Sequence, residues 1–151
     1  MTSGEGKSKP RVLFLCTGNS ARSQMAEAFL KKYAGDRFEV HSAGLDPKGI
    51  NPYTRKVMEE IGVDISDQYS KGLGEFLGKM RIAYLITVCD NAEKKCPTLP
   101  GVSFRLYWPF DDPASLEGTE DEKLARFREV RDQVDKRIKS WLNGMGISAS
   151  P

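Results

Sequence analysis

Apolar positions along this chain fall into short continuous runs separated by longer stretches with helical spacing. Arg11–Leu15 (RVLFL) is such a run and predicts a strand buried on both faces. Met25, Ala26, Phe29, Leu30 and Tyr33 then recur three or four residues apart, predicting a helix that Gly35 closes. Phe38–Ser42 predicts a second strand, ended by Ala43 and Gly44. Asn51 before Pro52 reads as a cap followed by a first-turn proline, with Val57 and Ile61 giving that helix its apolar side. Gly72, Gly74 and Gly78 argue against a helix over 71–79. Ile82–Val88 (IAYLITV) is the most apolar run and predicts a central strand; Ser103–Tyr107 predicts a fourth. The last helix opens on a capping box, Thr119 to Glu122. Its stripe is Leu124, Phe127, Val130, Val134, Ile138 and Trp141.

Strands separated by helices need crossover connections. The pattern therefore predicts a three-layer α/β fold: a four-stranded, mostly parallel sheet with helices on both faces. Ligands of such sheets bind beyond the carboxyl ends of the strands. The segments after Leu15, after Val88 and after Tyr107 all fall at that edge and should meet. Residues 1–10 read as a disordered leader, 11–143 as a single catalytic domain and 144–151 as a flexible tail.

Composition narrows the function. A net charge of +2, with basic and acidic residues interleaved, argues against nucleic acid or an anionic membrane as partner. No apolar run approaches the roughly 18–20 residues a membrane span requires. The chain has three cysteines, which cannot all pair with one another. A reducing cytoplasm is the expected location, and its cysteines are candidates for chemistry.

The first of them ends a strand. Cys16 is followed by Thr17, Gly18, Asn19, Ser20 and Ala21, then Arg22 and Ser23. None of the five intervening side chains is bulky, so their amides can turn inward as an anion nest, reinforced by the helix that begins near Ser23. A tetrahedral oxyanion would sit on those amides and on the planar fork of Arg22. The same positive field should lower the Cys16 pKa, and Ser23 could donate its hydroxyl to the thiolate. The expected product is a sulfur nucleophile aimed at a bound oxyanion. The plainer alternative, a core cysteine with a solvated arginine nearby, explains neither the small residues nor the flanking elements.

CTGNSARS, with DDP downstream, resembles the low-molecular-weight protein tyrosine phosphatase superfamily from about Arg11 to Leu142. The resemblance implies Cys16 as nucleophile, Arg22 as oxyanion ligand and Asp112 of FDDPA, rather than Asp111, as general acid. It also implies that Asn19 braces the loop, in a left-handed conformation, and that Ser42 of HSAG hydrogen-bonds Asn19. His41 is expected to point out of an edge strand and take no part in catalysis.

Within that superfamily, VCDNAEKKCP looks like the thioredoxin-coupled arsenate reductases, in which a cysteine ends the central strand and another follows after six intervening residues. Here these are Cys89 and Cys96. Ala114 and Ser115 stand where the phosphatase branch usually carries aromatics. The resemblance implies arsenate reductase activity: a Cys16–arsenate adduct, attack by Cys89 on Cys16, and transfer of the disulfide to Cys89–Cys96, which thioredoxin reduces. Lys94 and Lys95 should favour a Cys96 thiolate, and residues 90–96 should unwind on oxidation. Phosphate and sulfate are expected analogues of arsenate, and thioredoxin the external reductant, with no bound cofactor. The alternative is hydrolysis of phosphate monoesters through a phosphocysteine, which would ignore Cys89 and Cys96.

Two departures from these relatives stand out. Many carry a second loop cysteine where this chain has Ala21. Some bind potassium through Asn, Glu, Ser and Asp side chains; Asn19, Glu27 and Ser42 match, but the aspartate position carries Lys71. A lysine there would repel the cation, so no metal requirement is expected.

Overall fold

The computed structural model describes residues 9–76 and 78–149. Residues 1–8 of the expected leader and 150–151 of the expected tail lie outside the described residues.

Four parallel strands form the sheet: β1 (Arg11–Cys16), β2 (Glu39–Gly44), β3 (Tyr84–Thr87) and β4 (Phe104–Tyr107), in the order β2-β1-β3-β4. The two inner strands, β1 and β3, carry the apolar runs. Val12, Leu13, Phe14 and Leu15 are inaccessible to solvent, as are Leu85 and Ile86. Strands β3 and β4 are shorter than the sequence predicts: residues 82–83 and 88 flank β3, and residue 103 flanks β4.

Helices α1 (Arg22–Ala34), α2 (Pro52–Glu59), α3 (Asp90–Lys95) and α4 (Glu120–Gly144) flank the sheet. Asn51 caps α2 by accepting from Tyr53 N at 2.9 Å, with Pro52 in the first turn. Thr119 and Glu122 form a reciprocal capping box on α4. The α4 stripe meets the core at Phe127, Val130, Val134 and Ile138. One turn on, Trp141 packs against Phe38, Tyr84 and Trp108 at centroid separations of 5.2–5.6 Å. Gly146, at φ 78°, ends the helix, and Ile147 N returns a hydrogen bond to Leu142 O. Over 71–79 the described residues hold only a single 3-10 turn, Leu73–Glu75, as the glycines there suggest.

The strand order places the site. From β1 the chain moves outward to β2, and from β3 it moves outward the opposite way to β4. Their exits therefore diverge, and a crevice opens between them. Leu15 pairs with Thr87, and Val88 N bonds Leu15 O at 2.9 Å. Cys16 and Cys89, 73 positions apart in sequence, consequently leave the sheet side by side.

Candidate functional site

The loop from Cys16 to Ser23 is held from outside. The carbonyls of Cys16, Thr17, Gly18 and Ser20 accept from the amides of Leu45, Asp46, Lys48 and Asn51 at 2.8–3.1 Å. A loop whose carbonyls are engaged outward keeps its amides for an anion. Gly44 is required for this approach: a Cβ there would lie 2.6 Å from Thr17 O and 2.9 Å from Asn19 N.

Asn19 is the hub. Its backbone sits at φ 49°, the one positive value for a non-glycine among the described residues, and it is inaccessible to solvent. Its Nδ2 donates to Ser23 Oγ (2.8 Å) and Ser42 Oγ (3.0 Å), while its Oδ1 accepts from Gln24 Nε2 and from Lys71 N (both 2.9 Å). Gln24 also reaches Tyr69 O, and Gln68 Nε2 donates to Gln24 Oε1 at 2.7 Å. Sequence reasoning missed Gln24 and Gln68. The available signal was a glutamine beside the apolar face of α1, where an uncharged polar group must find buried partners.

Arg22 points back across the crevice, its Nη1 donating to Phe110 O at 3.3 Å and its Nη2 lying 3.9 Å from Asp112 Oδ2. Asp112 is half-exposed and caps the 3-10 turn Pro113–Ser115 by accepting from Ala114 N. Asp111 turns away and pairs with Arg126 at 3.2 Å. Of the two acids, Asp112 is the one facing the loop.

All three cysteines are free thiols. Cys89 is buried and caps α3: its Sγ accepts from Ala92 N at 3.4 Å and lies 3.4 Å from Thr17 Oγ1. The Cys16 thiol is within hydrogen-bond reach of the same sulfur. Donation from Cys16, together with the Thr17 hydroxyl and the Ala92 amide, lowers the Cys89 pKa to about 5 against the opposing effect of burial. Cys16, as the donor in this pair and itself buried, is raised, although Arg22 pulls it down. This corrects the expectation of a resting Cys16 thiolate. Two adjacent sulfurs share one proton between them, and the Thr17 hydroxyl and the Ala92 amide favour the negative charge on Cys89. Ser23 directs its hydroxyl into the Asn19 network by accepting from Nδ2.

Cys96 terminates α3, half-buried, with its Sγ donating to Pro97 O at 3.4 Å. Burial raises its pKa, outweighing Arg105. The charges that act on Cys96 are those of Arg105 and Glu93 rather than the lysines expected, and Lys94 pairs instead with Asp90 at 2.9 Å. A helix between Cys89 and Cys96 spans roughly 10 Å, beyond the Cα separation of a disulfide.

Lys71 is buried, with its Nζ 2.9 Å from Tyr69 O, 3.5 Å from Ser42 Oγ and 3.6 Å from Glu27 Oε1. The ammonium thus lies among Glu27, Ser42 and the Asn19 network. Burial lowers its pKa, and Glu27 opposes that shift. Among the described residues no cluster of three or more His, Cys, Asp or Glu side chains could hold a metal ion, and no helix is long and apolar enough to cross a membrane. His41 lies on edge strand β2, bonded to Glu39 and tilted against Phe76 at a centroid separation of 5.1 Å.

Residues 11–149 match the family described as low molecular weight phosphotyrosine protein phosphatase. An arsenate reductase of Halalkalibacterium halodurans is 49% identical over 133 residues, covering 88% of this chain and 95% of the relative. Among solved structures, an arsenate reductase in the phosphate-binding state superposes with a TM-score of 0.72 at 31% identity, covering 89% of this chain and 98% of the other. The Corynebacterium glutamicum thioredoxin-dependent arsenate reductase gives 0.70 at 32% identity, over 93% of this chain and 64% of that one. The chain belongs to the low molecular weight phosphotyrosine protein phosphatase family.

Proposed function

We propose that this member of the family is an arsenate reductase recycled by thioredoxin, acting in the cytoplasm through one catalytic domain, residues 11–143. The observation that carries the reading is the placement of Cys89 beside Cys16 and Thr17, at the floor of an oxyanion loop. Ester hydrolysis has no use for a second thiolate there. The relatives named above are arsenate reductases, and that likeness supports the same substrate.

Arsenate binds on the loop amides and the Arg22 fork. Cys16 sulfur attacks arsenic; the thiol proton and an arsenate hydroxyl leave as water, with Asp112 delivering the proton to the departing oxygen. Cys89 thiolate then attacks Cys16 sulfur. A sulfur–sulfur bond forms, the sulfur–arsenic bond breaks, and its electron pair stays on arsenic, which leaves as arsenite after taking up protons. Cys96 attacks Cys89, releasing Cys16 and forming Cys89–Cys96. That last bond cannot close across an intact α3, so residues 90–96 unwind, presenting the disulfide to thioredoxin. Lys71 supplies the positive charge beside Glu27 and Ser42 that some relatives obtain from potassium.

The test is NADPH oxidation in the presence of arsenate, thioredoxin and thioredoxin reductase. Arsenate-dependent turnover is expected. Turnover only with a glutathione or mycothiol system would overturn the partner, and no reduction with any thiol system would overturn the reaction.

A further inference from the structure

Between the two downstream cysteines lies a side chain with no part in the relay as described so far. Asn91 Nδ2 donates to Thr17 Oγ1 at 2.9 Å, the same oxygen that lies 3.4 Å from Cys89 Sγ. A hydroxyl has one hydrogen and two lone pairs. With a lone pair of Thr17 occupied by the Asn91 amide, the hydroxyl hydrogen is left for the sulfur. Asn91 is half-buried on the first turn of α3, and its reach to Thr17 ties that helix directly to the oxyanion loop.

We propose that Asn91 is a positioning residue for the reductive relay, orienting the Thr17 hydroxyl as a hydrogen-bond donor to Cys89. The inference rests on the assignment of Cys89 as the attacking thiolate. It adds a timing element to that role. Asn91 belongs to the segment that must unwind for Cys89 to bond Cys96, so the oriented donor is present while Cys89 is a nucleophile and withdrawn once Cys89 is oxidised. Re-forming α3 after reduction restores the donor and the poised thiolate together. The lowered Cys89 pKa agrees with a donor at this position, since a hydrogen bond to the charged form favours it.

The substitutions N91A and N91D separate orientation from mere packing. Alanine favours helix more than asparagine does, so α3 is kept while the amide is lost. Aspartate is nearly isosteric but accepts, drawing the Thr17 hydrogen away from the sulfur. The readout is the pH dependence of Cys16–Cys89 disulfide formation after one addition of arsenate, with Cys89 ionisation followed in parallel by thiolate ultraviolet absorbance. N91A should move the acid limb of both curves upward by about one pH unit, and N91D should move it further. In a Thr17→Val background, N91A should produce no additional shift. An unmoved limb in N91A overturns the proposal. So does an N91D curve matching the parent, or a shift of equal size in the Thr17→Val background, since Asn91 would then not act through Thr17. If the parent forms no disulfide with arsenate, the proposed reaction fails, while the absorbance titrations still decide the role of Asn91.

Discussion

The oxyanion loop and the Cys89–Cys96 segment touch at Thr17 yet are built on opposite terms. The loop is fixed by buried bonds: Asn19, Ser23, Gln24 and Ser42 are fully inaccessible and satisfy one another, and each outward carbonyl has a backbone donor. Helix α3 has one buried residue within it, Ala92. Beyond two part-buried bonds, Thr87 Oγ1 to Glu93 Oε1 (2.7 Å) and Asn91 Nδ2 to Thr17 Oγ1 (2.9 Å), its side-chain bonds are solvent-exposed, among them Arg105 Nη2 to Glu93 O (3.0 Å) and Tyr107 OH to Asp90 Oδ1 (3.2 Å). Bonds of the first kind resist opening, whereas the second kind contribute little and open locally at low cost. A site that must pre-form for an oxyanion and a segment that must rearrange for a disulfide require that difference.

The comparison can be broken from either side. The largest effect is expected from Cys96→Ser, which stops the segment's rearrangement and leaves the loop untouched: one equivalent of arsenite per chain should form, and steady-state turnover should be lost. A quench of arsenite formed against enzyme added checks this. Asn19→Ala attacks the other side. It strands the buried Lys71 N–H, takes the Nδ2 donor from Ser23 and Ser42, and removes the side chain best suited to φ 49°. A loss of about 3 kcal/mol in denaturant unfolding is expected, with arsenate and aryl phosphate turnover falling together.

Lys71→Ala should be milder. Glu27 retains Lys31 as a partner, so about 2 kcal/mol is expected rather than the full cost of an orphaned buried charge. Potassium should raise the melting temperature of this variant and leave the parent unchanged. The smallest effect concerns pH. A thiol with a lowered pKa stays ionised above that value and is protonated as pH falls through it, so Cys89 keeps its thiolate down to about pH 5. In the free enzyme, the thiolate ultraviolet absorbance of Cys89 should therefore change little between pH 6 and 8. A limb in the ordinary thiol range near 8–9 would contradict the shared-proton pair.

Much of the architecture is legible in the chain because it is written in periodicity. The two inner strands are continuous apolar runs, the caps at Asn51 and Thr119 are local chemistry, and the stripe from Leu124 to Ile138 has one spacing. The loop is legible for the same reason, being a single contiguous stretch between a strand and a helix. Helix α3 is not: six residues with one buried position carry no periodic signal. Neither are Gln68, Asn91 and the reach of Gln24 to Tyr69, which arise from partners 44–74 positions distant in sequence. The ionisation of Cys16 and Cys89 belongs to the pair. Each cysteine read alone, with its own neighbours, gave Cys16 the resting charge that their contact transfers to Cys89.

The central claim is that one loop serves reduction because a second sulfur stands beside the first. It is tested most directly by Cys89→Ser assayed in parallel on arsenate and on a small aryl phosphate. The account predicts that thioredoxin-coupled arsenate turnover collapses while the weak ester hydrolysis by Cys16, Arg22 and Asp112 persists. Arsenate turnover that survives the substitution, or hydrolysis that falls with it, would contradict the account.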